Sequence, residues 1–93
     1  GTLSGNPLAM AAGLATLNGL SVPGFHDALG NLTRMLAEGL KDAATRAGVA
    51  MCSSSRGGMF GFCFTPLPRV TCQQDVAASD EGFFRRFYHG MLD

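Results

Sequence analysis

Hydrophobic and polar positions divide the chain into an apolar N-terminal stretch, an amphipathic helix, a β region and a second amphipathic helix. Asn6-Pro7 reads as a helix start, because the asparagine side chain can accept from free amides and proline suits the first helical position. From Leu8 to about Asn18 the residues are apolar or small on every side, and Gly19 stops the run. A helix of this kind has to be buried all round. Ser21-Val22-Pro23-Gly24 reads as a turn. A second helix is predicted from Phe25 to about Ala47. It places Phe25, Leu29, Leu32, Leu36, Leu40, Ala43 and Ala47 on one stripe and Arg34, Glu38, Lys41 and Thr45 opposite. Gly48 reads as its C-terminal stop.

The period then changes. Val49–Cys52 is predicted as a short strand, Ser53–Gly58 as a loop, and Met59–Thr65 as a second strand with Phe60, Phe62 and Phe64 on one face. Pro66 and Pro68 end it, and Val70–Cys72 is a candidate third strand. Ser79 or Asp80 caps a last helix carrying Phe83, Phe84, Phe87, Tyr88, Met91 and Leu92, which runs to Asp93 without a stop signal. The expected fold class is α+β: a two- or three-stranded sheet packed against two main helices, with an N-terminal connector helix. Residues 1–20 are expected to form the connector, and residues 21–93 a small domain that continues past Asp93.

Composition changes this picture in one respect. The chain is 46% hydrophobic and 15% charged, where typical domains carry about 25% charged residues. Another surface is therefore expected to cover part of it. Seven basic residues balance seven acidic ones with no basic cluster, which argues against nucleic acid or an anionic membrane as partner. Residues 1–26 carry no charged side chain, yet Ser4, Asn6, Pro7, Asn18, Ser21 and Pro23 interrupt the run. No 18-residue apolar span survives, and the basic region of a signal peptide is lacking. Cys52, Cys63 and Cys72 show no CxxC spacing. That argues against a disulfide scaffold or zinc knuckle and points to the cytoplasm.

Candidate chemistry is sparse. His26 and His89 lack a carboxylate or thiol at metal-ligand spacing on the same face, so both read as structural or solvated, and no metal site is expected. Lys41, the only lysine, falls on the polar side of the second helix. A lysine that bonds a carbonyl cofactor needs a desolvated amine, so Lys41 reads as a solvated surface residue. Ser53–Gly58, with Arg56, could cradle an anion through its amides, but a plain hairpin loop of turn residues is favoured. Gly1-Thr2-Leu3-Ser4-Gly5-Asn6-Pro7 combines hydroxyls, glycines and a helix start. These parts suit phosphate binding and equally suit a flexible lead-in to a helix. No catalytic residue is assigned.

The string GTLSGNPLAMAAGLATL, residues 1–17, resembles the segment that follows the cofactor lysine in class III pyridoxal-phosphate-dependent aminotransferase-fold enzymes. The Thr-x-x-Gly-Asn-Pro core, Thr2 to Pro7, is shared across that class. The longer string is more similar to its glutamate-1-semialdehyde aminomutase branch. Arg56–Phe62, Val70–Cys72, Asp75-Val76 and Phe87–Asp93 resemble the small-domain pattern of the same branch, in order along the whole chain.

The resemblance implies a C-terminal piece of a fold-type-I enzyme. Its family converts glutamate 1-semialdehyde to 5-aminolevulinate for tetrapyrrole synthesis, as a homodimer with active sites at the subunit boundary. It implies pyridoxal phosphate as the cofactor of the parent, and Thr2 as a donor to the phosphate of the neighbouring subunit's cofactor. The family's cofactor lysine lies upstream of Gly1, and the acidic partner of the pyridine nitrogen is likewise outside these residues. The chain alone is therefore expected to be inactive and to hold no cofactor, its partner being the remainder of the parent. The other readings are a piece of a true class III aminotransferase and a non-enzymatic interaction module built on the uncharged first helix.

Overall fold

A computed structural model describes all residues, 1–93. The fold is α+β, with four helices and one two-stranded antiparallel sheet. Helix α1 spans Pro7–Leu20 and α2 spans Phe25–Arg46. Strands β1 (Cys52–Arg56) and β2 (Met59–Cys63) follow, then α3 (Gln73–Ala77) and α4 (Glu81–Gly90). No single helix is long and apolar enough to cross a membrane.

Local signals set the start of α1 and the end of α2 at their expected places, whereas Gly19, the expected stop of α1, is helical and α1 runs on to Leu20, and α4 ends at Gly90 instead of running to Asp93. The Leu8 amide donates to Asn6 Oδ1 at 2.9 Å, and Pro7 occupies the first turn. At the end of α2, Gly48 takes φ 69°. The Val49 amide reaches back to the Ala44 carbonyl at 2.8 Å and the Gly48 amide to Thr45 at 3.1 Å. This pair of bonds is the Schellman arrangement that a left-handed glycine permits.

The β region departs from expectation. Of the strand expected at Val49–Cys52 only Cys52 is strand; β1 lies at Cys52–Arg56, taking in Ser53–Arg56 of the expected loop, and the connection shrinks to Gly57-Gly58. Gly57 has φ 55°, the left-handed first position that two-residue II′-type hairpin turns require. That turn places Arg56 opposite Met59 and propagates the pairing through Ser55–Phe60, Ser54–Gly61 and Ser53–Phe62 to Cys52–Cys63. Three serines thus become strand because an aromatic-rich partner lies alongside them, tertiary context overriding weak β preference. Val70–Cys72 is not a strand. The Asp75 carboxylate accepts from the Thr71 amide at 2.8 Å and the Cys72 amide at 3.3 Å, which occupies amides a strand would need and starts α3 instead.

The buried face of α2 also differs from the predicted stripe. Thr33 and Ala37 are buried, and Gly30, Leu40 and Ala44 half-buried, whereas Leu32 is 64% and Leu36 49% exposed. At about 100° per residue, the buried face lies roughly 80° round the helix from the centre of the leucine stripe. Small residues face the hairpin because they let the helix approach it closely. A β-carbon placed on Gly58 would lie 2.7 Å from the Leu29 δ-carbon.

The core is an aromatic cluster between the hairpin and α4. Phe64, which follows β2, meets Phe83 at 4.6 Å and Phe87 at 5.5 Å between ring centroids; Phe62 meets Phe87 at 5.5 Å. Phe64 is buried, and the Asp80 amide donates to its carbonyl at 2.9 Å. Only Thr33, Ala37, Phe64 and Thr65 are buried in the whole chain. The accessible surface is 7417 Å², against about 5,100 Å² for a compact monomer of 9.7 kDa. The radius of gyration is 18.1 Å, against roughly 12 Å for a compact domain of this length. Helix α1, whose fourteen residues include no buried one, accounts for part of that excess.

Candidate functional site

The Gly1–Pro7 segment folds as a turn that leads into α1. The Ser4 amide donates to the Gly1 carbonyl at 3.1 Å and the Asn6 amide to the Leu3 carbonyl at 3.2 Å. Ser4 Oγ also donates to Gly1, at 2.6 Å. Asn6 Oδ1 takes the Leu8 amide. The segment therefore spends Ser4 and Asn6 on its own shape, while Thr2 lies exposed beside the start of a fourteen-residue helix. The positive end of that helix dipole and a neighbouring hydroxyl suit one edge of a phosphate.

Lys41 lies elsewhere. It is exposed on α2 and borders a recess formed with Thr45, Gly48, Val49 and the Thr65–Pro68 segment. It is the solvated surface lysine that its place on the polar side of the helix led one to expect.

The histidines are not brought together. The His26 ring stands edge-on to Phe25 with centroids 5.4 Å apart, and His89 stands edge-on to Tyr88 at 5.7 Å. No group of three or more His, Cys, Asp or Glu side chains is arranged to hold a metal ion. His26 and Arg34 border one polar recess with Asp27, Asn31 and Ser55; Arg34 donates there to Asn31 Oδ1. Ser53–Arg56 is paired strand, not an amide cradle.

Two features were not evident in the sequence. One is an apolar cavity of about 210 Å³ bounded by Leu40, Ala44 and Ala47 of the α2 segment, Val49 and Met51, and Phe64, Phe83 and Phe87. The other is the direct opposition of Cys52 and Cys63 in the hairpin. The second has a legible signal, since the two cysteines are equally distant from Gly57-Gly58; it becomes readable only once that dipeptide is known to be the turn. No protein-family model matches the chain.

Proposed function

We propose that the chain forms the C-terminal small-domain part of a cytoplasmic, pyridoxal-phosphate-dependent aminomutase of the glutamate-1-semialdehyde type. On this reading the rest of the enzyme covers its bare apolar surface. One observation carries the proposal: the chain exposes roughly 2,300 Å² more surface than a compact monomer of its mass. Covered by one partner, that excess is as large as one side of an obligate interface. It is apolar in character, with Leu8, Leu14, Leu17, Leu32 and Met35 each at least 60% exposed. The motif resemblance from Thr2 to Pro7 supplies the family.

In the assembled homodimer, Thr2 would hold the phosphate of the neighbouring subunit's cofactor through its hydroxyl, and the α1 dipole would favour the same negative charge. Asn6 holds the helix start in place by capping Leu8. When bound, pyridoxal phosphate supplies the electron sink for moving an amino group between adjacent carbons. The lysine that fixes the cofactor belongs to the upstream part of the parent.

The test is the complete reading frame around the chain. It should encode a lysine shortly upstream of Gly1, and its product should bind pyridoxal phosphate and convert glutamate 1-semialdehyde to 5-aminolevulinate. Thr2→Val should weaken cofactor retention. The 93-residue chain alone should do neither. Turnover by the chain alone, or a full-length product without cofactor absorbance, would overturn the proposal. Consumption of a separate keto acid would identify an aminotransferase instead. A frame lacking the lysine whose product self-associates through α1 would identify an interaction module.

A further inference from the structure

We infer that Cys52 and Cys63 form a reversible intramolecular disulfide that clamps the open end of the β1–β2 hairpin. The two residues are directly paired in the antiparallel register, so their side chains leave the same face of the ribbon. Both are free thiols and half-buried, which leaves them within reach of a small oxidant; Cys72 is free and exposed. The inference is independent of the enzyme assignment.

The register also sets the strain of the bond. A two-residue turn makes Arg56–Met59 a hydrogen-bonded pair, and alternation along the ladder makes Cys52–Cys63 one as well. Such pairs have Cα atoms about 5.5 Å apart, inside the range a disulfide spans. Side chains at hydrogen-bonded positions stand further apart than at the alternate ones, so the bridge forms under strain. Strained disulfides have higher reduction potentials and are the labile ones. Cys52 Sγ donates to the Pro68 carbonyl at 3.6 Å in the reduced form. Oxidation gives up that weak bond and ties the start of β1 to the end of β2, next to buried Phe64.

The oxidant is a low-molecular-weight disulfide such as oxidised glutathione. One cysteine thiolate attacks it, forming a mixed disulfide and releasing one glutathione thiolate. The second cysteine thiolate attacks the protein sulfur of that mixed disulfide and releases the other glutathione. The two cysteines lose two electrons and two protons, and one oxidised glutathione becomes two reduced ones.

The test titrates the full chain with glutathione buffers of rising oxidised fraction, then alkylates and maps the cysteines by mass spectrometry. The expected result is a native chain that loses two alkylatable thiols, joined as a Cys52–Cys63 peptide pair, with Cys72 still alkylated. Dithiothreitol should restore both thiols. The same titration in urea should scramble the pairing to include Cys72, showing that the fold directs it. Cys72→Ser should leave the bond intact, and Cys63→Ser should abolish it. Native oxidation that links Cys72 to either partner, or that stops at glutathione adducts without an internal bond, would overturn the inference.

Discussion

The backbone amide of Asp80 donates to the carbonyl of Phe64 at 2.9 Å, while the Asp80 carboxylate accepts from the Phe83 amide at 2.7 Å. One residue thus fastens the end of the hairpin to the start of α4 and caps that helix. This fixes the spacing at which Phe64 meets Phe83 and Phe87. Replacing Asp80 by alanine removes only the cap, because the backbone bond to Phe64 persists. Loss of an N-cap costs about 1 kcal/mol. Asp80→Ala is expected to destabilise by that amount and Asp80→Asn by much less, measured by urea unfolding.

Phe64 is the only large side chain that the chain buries. Phe64→Ala is expected to be the most damaging of the aromatic truncations, near the low end of the roughly 3–5 kcal/mol typical of such changes. The low end applies because the existing cavity of about 210 Å³ beside it already forfeits some packing. Phe60, 42% exposed on the same hairpin, should cost far less when truncated. Should Phe64→Ala fail to fold, Phe64→Leu, about 1 kcal/mol or somewhat more, preserves the comparison in chemical denaturation.

The carboxyl of Asp75 is held below its ordinary value of 3.8, chiefly by the hydrogen bond from the Thr71 amide and then by the Thr71 hydroxyl. A carboxylate lowered on folding adds stability that is fully present above the unfolded value. That stability is lost as pH falls through the folded one. The link between Thr71 and α3 is therefore expected to hold at neutral and mildly acid pH and to open only below about pH 3.8. Thr71 and Cys72 amide resonances followed by NMR should move in that window, and in Asp75→Ala they should sit at the open position at every pH.

At the hairpin turn, Gly57 has φ 55°. Forcing an ordinary side chain into that region costs about 1–2 kcal/mol. Gly57→Ala is expected to lower stability by roughly that amount and Gly57→Asn by less, read from thermal unfolding. Gly57→Ala should also reduce the yield of the Cys52–Cys63 bridge, since the turn sets the register.

Leu14 on α1 is 61% exposed and Leu17 62%. Leu14→Lys should leave the stability of the 93-residue chain within about 0.5 kcal/mol, as for an ordinary surface change. If the proposed parent enzyme covers α1, the same substitution in that parent should cost several-fold more and reduce assembly, measured by sedimentation. Equal effects in both would mean that α1 is covered by nothing further.

Local chemistry placed the helix ends. Asn6-Pro7, Gly48 and the Ser79-Asp80 pair act through atoms within a few residues of themselves, so their roles were readable without knowing the fold, although only the structure chose Asp80 over Ser79 as the cap. The aromatic face of the second strand was legible for the same reason, as a period of two is a local property. The serine strand was not, because Ser53–Ser55 have little strand preference and pair only once Gly57 has turned the chain. Nor could periodicity say which part of the broad apolar arc of α2 would be buried. That was decided by the close approach of the hairpin, which selects small residues such as Gly30 and Ala37 and leaves Leu32 and Leu36 bare. The same distinction governs chemistry. The Thr2–Pro7 motif is contiguous and visible in the sequence, whereas the opposition of Cys52 and Cys63 exists only in the register of two strands. Contiguous signals act over a turn of helix or a few bonds; packing and pairing depend on which distant surfaces meet, and only the tertiary structure determines that.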